Sequence, residues 1–215
     1  MTTISILGGT GKEGSGLALR WAKAGHHVII GSRSAERAEQ AAAEINSQLG
    51  IETARGLDNE SAARAADIVV LTVPAEAQAA TLEGLKLALT GKILVDATAR
   101  VDAKAPKPPQ GKASGRLAQE LLGSEVRVVA AFQNVPAHAL KKLDHELASD
   151  VLVCGDDAEA RAEAVKLAEA AGMQAYEAGG LDNGLVVEGL TALIISLNKR
   201  YKSKTGGIRI SGISK

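Results

Sequence analysis

Ile4-Ser5-Ile6-Leu7-Gly8-Gly9-Thr10-Gly11-Lys12-Glu13-Gly14 is the stretch that decides the fold. A short apolar run reads as a strand and ends in Gly9-x-Gly11-x-x-Gly14, and Leu17 to Ala24 then reads as a helix. Strand, tight turn and helix in that order lay a pyrophosphate on a helix N-terminus. Gly9 serves the sharp turn, Gly11 the approach of backbone to phosphate, and Gly14 the packing of helix on strand. The amides of Thr10, Gly11, Lys12 and Glu13 then meet the phosphate oxygens. About 20 residues further on, an NAD-binding chain carries Asp or Glu at the end of the next strand. Here that strand ends Gly31-Ser32-Arg33. A guanidinium pairs two oxygens of a 2′-phosphate and a serine hydroxyl adds a third contact, which points to NADP. Arg37, one turn into the following helix, is placed to join them.

The rest of the chain repeats the theme. Short apolar runs at Ile4–Leu7, His27–Ile30, Ile51–Arg55, Ile68–Val73, Ile93–Asp96, Val126–Ala131, Val151–Cys154 and Gln174–Glu177 read as strands. Helical patterns at Glu36–Gln48, Ala75–Ala88, Ala158–Ala171 and Leu185–Tyr201 lie between or after them. That alternation predicts an α/β fold, a Rossmann-type doubly wound and mainly parallel sheet with a small C-terminal α/β part. Ser34 is a candidate cap for the second helix, and Asp156 or Asp157 for the helix after Cys154. A boundary near Phe132–Ala139 divides the chain into a nucleotide domain over residues 1–135 and a smaller part over residues 136–215. Ala99 to Gly115, with Pro106, Pro108 and Pro109, breaks the alternation and is expected to be a long loop, a lid or a linker.

Bulk properties exclude several classes. The chain has 215 residues, 46% hydrophobic and 23% charged, with formal net charge zero, as an ordinary globular protein has. No long basic block is present, so nucleic acid is not expected as a partner. A single cysteine, Cys154, forms no internal disulfide, and the N-terminus runs straight into a strand; a cytoplasmic protein is expected. No apolar stretch reads as a membrane span; Gly184–Leu197 comes nearest and is interrupted by Glu188. The four histidines have no metal-ligand spacing, so no metal site is expected.

Two further segments fall at strand ends facing the ligand crevice of such a sheet. Thr72-Val73-Pro74 closes the fourth strand and turns, with Ala77, beside a bound dinucleotide. Phe132-Gln133-Asn134-Val135-Pro136-Ala137 combines an aromatic, two amides and a proline, a set suited to a flat ring with polar edges. No residue stands out as a general acid or base, and none is assigned as catalytic.

Taken with Leu7–Gly11, Gly31–Ser34 and the ending Gly206-Gly207-Ile208-Arg209-Ile210-Ser211-Gly212, these segments resemble the NADPH-dependent F420 reductases over nearly the whole chain. The resemblance implies hydride transfer between nicotinamide C4 and C5 of the deazaflavin coenzyme F420, the rings stacked between the two parts of the chain. It implies that Gly9, Thr10, Gly11, Lys12, Glu13, Ser32, Arg33 and Arg37 hold NADP(H), and that Thr72, Val73, Pro74 and Ala77 line the nicotinamide side. It implies Gln133, Asn134, Val135, Pro136, Ala137, Gly206 and Gly207 near the deazaflavin, and a homodimer. Some archaeal members carry His-Thr where this chain has Gln133-Asn134, so no histidine is expected to move a proton there. Lys199, Arg200, Lys202, Lys204 and Arg209 are available to an acidic coenzyme tail, or they form a solvated helix end. Two other readings stay open on the residues alone: an NADPH-dependent reductase for a flavin, ferric, imine or ketone acceptor, and a non-enzymatic NADPH sensor. The long apolar helix Leu185–Leu197 is the expected buried or intersubunit element.

Overall fold

A computed structural model describes residues 2–213. Its centre is an eight-stranded sheet in the order β3-β2-β1-β4-β5-β6-β7-β8. The strands are β1 (Thr3–Leu7), β2 (His27–Ser32), β3 (Ala54–Asp58), β4 (Ile68–Leu71), β5 (Ile93–Asp96), β6 (Arg127–Ala130), β7 (Val151–Gly155) and β8 (Ala175–Glu177). The first six run parallel. β7 is antiparallel to β6, and β8 returns parallel to β7.

The helices are α1 (Lys12–Lys23), α2 (Ala35–Leu49), α3 (Asn59–Arg64), α4 (Gln78–Leu89), α5 (Ser114–Leu122), α6 (Ala137–Leu140), α7 (Ala158–Ala170) and α8 (Gly184–Arg200). They cover both faces. On one face Ile4, Ile6, Val28, Ile30, Val70 and Val95 pack with Leu17 and Trp21 of α1, Ile45 of α2 and Leu167 of α7. On the other, Leu7, Ile29, Val69, Leu71 and Leu94 pack with α3, α4 and α5. A strand buried on both sides has no polar face, which is why β4 reads as an unbroken apolar run and β1 and β5 are broken only by the buried Ser5 and Asp96.

Helix ends follow their caps. Ser34 caps α2 through the Arg37 amide, and Asp157, not Asp156, caps α7 through the Ala160 amide at 2.7 Å. Asp156 instead accepts from the Leu181 amide at 2.9 Å and pairs with Arg116. Four boundaries depart from the sequence reading. The first helix begins at Lys12, five residues before Leu17, because the glycine turn leads directly into it. Strand β3 lies at Ala54–Asp58, not Ile51–Arg55. The Asn46 side chain brackets Ala54, donating to its carbonyl at 2.8 Å and accepting from its amide at 2.9 Å, and so fixes where pairing with β2 starts. β4 stops at Leu71, and Ala75–Ala77 is a 3₁₀ turn ahead of α4 rather than its first turn.

Helices α3, α5 and α6 are not singled out by the sequence pattern. α3 buries only Ala62 and Ala63, too little apolar contrast for a helical period to show. The Pro-rich segment runs as a loop between β5 and α5, as its composition predicts.

The C-terminal part is tied to α1 by buried polar bonds. Arg20 donates to the carbonyls of Leu140, Ala171 and Lys142 at 2.7, 3.0 and 3.0 Å, and Trp21 Nε1 donates to Leu167 at 2.7 Å. Together with its leading turn, α8 spans Leu181–Arg200, long and apolar enough by length and composition to cross a membrane. The sequence reading had put no stretch at that length. Here the helix packs Val187, Ala192 and Ile194 into the fold and buries Glu188.

Candidate functional site

The glycine turn sits between the tips of β1 and β4, where the strand order reverses direction. Its geometry leaves no room for side chains. Gly8 has a φ of +76°, and a Cβ on it would lie 2.9 Å from Val73. A Cβ on Gly9 would lie 2.7 Å from the Ile6 carbonyl, and one on Gly14 would lie 2.6 Å from Thr72 Oγ1. The turn is held from below: the Gly9 amide donates to Ile6 and Gly31, and the Gly11 amide to Gly8. Gly11 is the N-cap of α1 and supplies no side-chain bond, so the first-turn amides stay open for an anion.

At the tip of β2, Ser32 is buried and its Oγ accepts from the Ser34 amide at 3.3 Å. Arg33 and Arg37 are exposed and neither forms an ion pair among the described residues. The acid nearest in the ladder is Asp58, paired with Ser32 in register, but its carboxyl caps α3 through the Ser61 amide at 2.9 Å. That bond holds the Asp58 carboxyl below its ordinary range. The β2 tip therefore carries two unpaired guanidiniums, and the carboxylate facing it across the ladder is already occupied.

On the other side of the switch point, Thr72 donates to the Leu7 carbonyl through its amide at 2.9 Å and its hydroxyl at 3.0 Å. Val73 and Pro74 follow, and the turn closes from the Ala77 amide to Pro74. The Phe132–Ala137 segment lies beyond β6. Phe132 is fully buried edge-on against Trp21, with centroids 5.8 Å apart, and holds a φ of +75°. A bulky residue in the left-handed region persists only where packing enforces it, and such strain gathers at functional sites. Here it delivers Gln133 and Asn134 inward. Gln133 Nε2 donates to the Asp96 carbonyl at 2.9 Å, and Asn134 Nδ2 to Asp150 at 2.8 Å. Their carbonyl oxygens, Gln133 Oε1 and Asn134 Oδ1, are closed off and without partners.

The tail joins the same region through Asp150. The Asp150 amide donates to Ile208 at 2.7 Å, and the Gly206 amide to Asn198 Oδ1 at 3.0 Å. A Cβ on Gly207 would strike Ser149 at 2.6 Å, so tail and loop touch through backbone. Of the cations near this end, Lys199 is bonded to the Lys104 carbonyl at 2.7 Å and Arg209 to Glu146 at 2.7 Å. His138 is exposed on α6.

Two buried acids have no assigned role in the sequence reading, Asp96 and Glu188. Asp96, fully buried at the tip of β5, accepts from the Thr98 amide at 3.0 Å and from Gln78 Nε2 at 2.5 Å. Burial pushes its carboxyl up to about 7 against the pull of those donors. Glu188 of α8, equally buried, accepts from the amides of Arg100 and Ser114 at 3.0 and 2.7 Å and from the Ser114 hydroxyl at 3.1 Å. The signals were present: an acid ending the apolar run Ile93–Val95, and a lone acid in an apolar helix. Both report polar groups placed under a ligand crevice at the cost of burial.

Sheet order and switch-point geometry place the chain among the Rossmann-type dinucleotide-binding proteins. A family model described as "NADP oxidoreductase coenzyme F420-dependent" matches residues 3–100. The F420-dependent NADP reductase of Methanocaldococcus jannaschii is 44% identical, the match covering 98% of each chain. That of Methanothermobacter thermautotrophicus is 40% identical over 98% of this chain and 95% of its own. The chain belongs to the F420-dependent NADP reductase family. A crystal structure from Arthrobacter sp. FB24, named as a candidate F420-dependent NADP-reductase, superposes with a TM-score of 0.82 at 26% identity, covering 99% of this chain and all of the other.

Proposed function

We propose that the protein transfers a hydride reversibly between NADP(H) and the deazaflavin coenzyme F420. The observation that carries this reading is end-to-end identity of 40–44% with reductases of that name, on a fold whose strand tips fit both coenzymes. The fit is tested by two features of the chain itself. The glycine turn is a cradle that side chains would fill, and Gln133 Oε1 and Asn134 Oδ1 are buried acceptors lacking donors.

In this reading the open amides of Thr10, Lys12 and Glu13 bind the pyrophosphate, with Gly9 and Gly11 admitting it. Ser32, Arg33 and Arg37 bind the 2′-phosphate. Thr72, Val73, Pro74 and Ala77 bound the nicotinamide side, and Gln133 to Ala137 with Gly206 and Gly207 bound the deazaflavin side. The two coenzymes supply the donor and acceptor carbons. The chain holds their rings in contact and excludes water, so positioning carries the catalysis and no protein nucleophile is needed.

Residues 1–135 are proposed as the nucleotide-binding part and residues 136–215 as the part completing the cleft. The Asn134–Asp150–Ile208 bonds that bring the tail to Gln133 and Asn134 support that division. A cytoplasmic homodimer is also proposed. Val186, Leu193 and Leu197 are exposed on α8 at helical spacing and form one apolar stripe, which suits the same stripe of a second copy across a two-fold axis. The single buried Cys154, whose thiol burial pushes up to about 11, suits a reducing compartment.

The test is a mixing assay of protein, NADPH and oxidised F420, following loss of the deazaflavin's visible absorbance, with NADH, FMN and FAD in parallel. Rapid bleaching with NADPH and little with NADH is expected. NADPH binding without F420 bleaching would overturn the reading, and reduction of FMN or FAD instead would move the activity to a flavin acceptor.

A further inference from the structure

Glu13 has a side chain that pyrophosphate binding does not use, since that contact runs through its amide. One of its carboxyl oxygens nevertheless avoids solvent. Glu13 is partly exposed as a residue, but its Oε1 is closed to solvent and has no hydrogen-bond partner. Among the described residues it forms no ion pair, and it stands in the field of Asp96 at the tip of β5.

Direction follows from topology. The basic tip of β2 takes the 2′-phosphate end of the nucleotide, so the nicotinamide half lies on the far side of the switch point, over β4 and β5. A carboxyl on the first turn of α1 that interacts with Asp96 is directed to that half. The groups facing it are Asp96 from β5 and, behind Asp96, Glu188 from α8 with Arg100 beside it. Gln78 of α4 and Gln133 are neutral, and Lys12 on the same turn is exposed. Asp96 is supplied with donors by Thr98 and Gln78, whereas Glu13 Oε1 has none, so Glu13 is the better holder of a proton. Burial and the Asp96 charge push its carboxyl up to about 8.

We propose that the Glu13 carboxyl reads the redox state of the nicotinamide, ionised beside the cationic ring of NADP+ and protonated beside the neutral ring of NADPH. Binding of NADP+ then breaks the Glu13 O–H bond and sends its proton to solvent, whereas binding of NADPH leaves it in place. In turnover toward reduced F420, the hydride would carry both electrons from nicotinamide C4 to deazaflavin C5, the nicotinamide would become cationic, and the Glu13 proton would depart to solvent, so the charge at the nicotinamide side stays constant. The chain thereby favours the oxidised nucleotide as pH rises. This inference rests on the NADP(H) reading above and assigns that site a proton-linked preference.

The experiment is calorimetric titration of the full-length protein with NADP+ and with NADPH, in two buffers of different ionisation heat. At pH 7, NADP+ is expected to release roughly half a proton or more per site beyond NADPH. The ratio of the NADPH to the NADP+ Kd is expected to rise by up to about tenfold per pH unit below about 8 and to level off above it. The 2′-phosphate, common to both nucleotides and titrating near pH ~6, cancels in the ratio. In Glu13→Gln the excess proton and the slope of the ratio are expected to vanish. Equal proton release by the two wild-type complexes would overturn the proposal while leaving NADP(H) binding intact, as would a Glu13→Gln protein keeping the wild-type slope. Binding of neither nucleotide would overturn the functional reading and this inference with it.

Discussion

At the scale of single residues, the proposed nucleotide end rests on chemistry that is local. Ser32 and Arg33 stand where a strand ends, and their acidic neighbour in the ladder, Asp58, is spent on capping α3. Arg33→Ala is therefore expected to weaken NADPH about ten- to a hundredfold, the range for a lost hydrogen bond to a charged group, and to leave NADH nearly unchanged. Nucleotide titration checks this, and equal losses for both would exclude the 2′-phosphate role. Asp96, Gln78 and Glu188 were not legible as a group. They are 18, 92 and 110 positions apart, and only the fold brings them together. One sequence shows each as an isolated polar residue in apolar company, without saying which partner compensates it.

At the scale of elements, strands buried on both faces announced themselves, and edge elements did not. β3 slipped from its expected place because the Asn46 side chain, eight residues away, sets its start. It could do so because Gly56 lets α2 lie directly on the strand: a Cβ there would fall 2.0 Å from the Glu39 amide nitrogen. The Pro-rich loop shows the opposite case. Its composition gave it away, but not what holds it. The Glu188 carboxyl accepts from the amides of Arg100 and Ser114, near the two ends of the loop, and Lys199 bonds the Lys104 carbonyl within it. Removing that acceptor leaves buried donors unpaired. Glu188→Ala is expected to cost about 3 kcal/mol or more, a fall in melting temperature of about 6–12 °C for a chain of this size. Trypsin should also cleave sooner at Lys104 and Lys112, each followed by alanine. An unchanged melt and digest would mean that the loop is held by its prolines alone.

At the scale of the whole molecule, the doubly wound, mainly parallel sheet was legible from alternation, whereas the sum of its charges and its assembly were not. Glu13 and Asp96 bind protons more readily in the folded chain, at about 8 and about 7, than at their ordinary values of 4.5 and 3.8. Their contribution to stability is thus present at low pH and is lost as pH rises through that window. Melting temperature is expected to fall between pH 5 and about 8 and to flatten above, less steeply in Glu13→Gln; a rise across that range would contradict both shifts. Assembly turns on α8. Its sequence read as apolar on more than one face, and the fold uses one of these, burying Val187, Ala192 and Ile194. The second face remains, with Val186 65%, Leu193 52% and Leu197 48% exposed. A stripe this narrow falls short of the roughly 1,200 Å² or more that a stable pair buries, so flanking surface must join it, with the stripe at the centre. The proposed homodimer then predicts sedimentation at twice the 22.1 kDa chain mass. Leu193→Glu places a charge against its own copy across the two-fold axis and is expected to yield monomers that melt cooperatively and still bind NADPH. A wild-type monomer, or a Leu193→Glu protein that remains dimeric, would move the interface off α8.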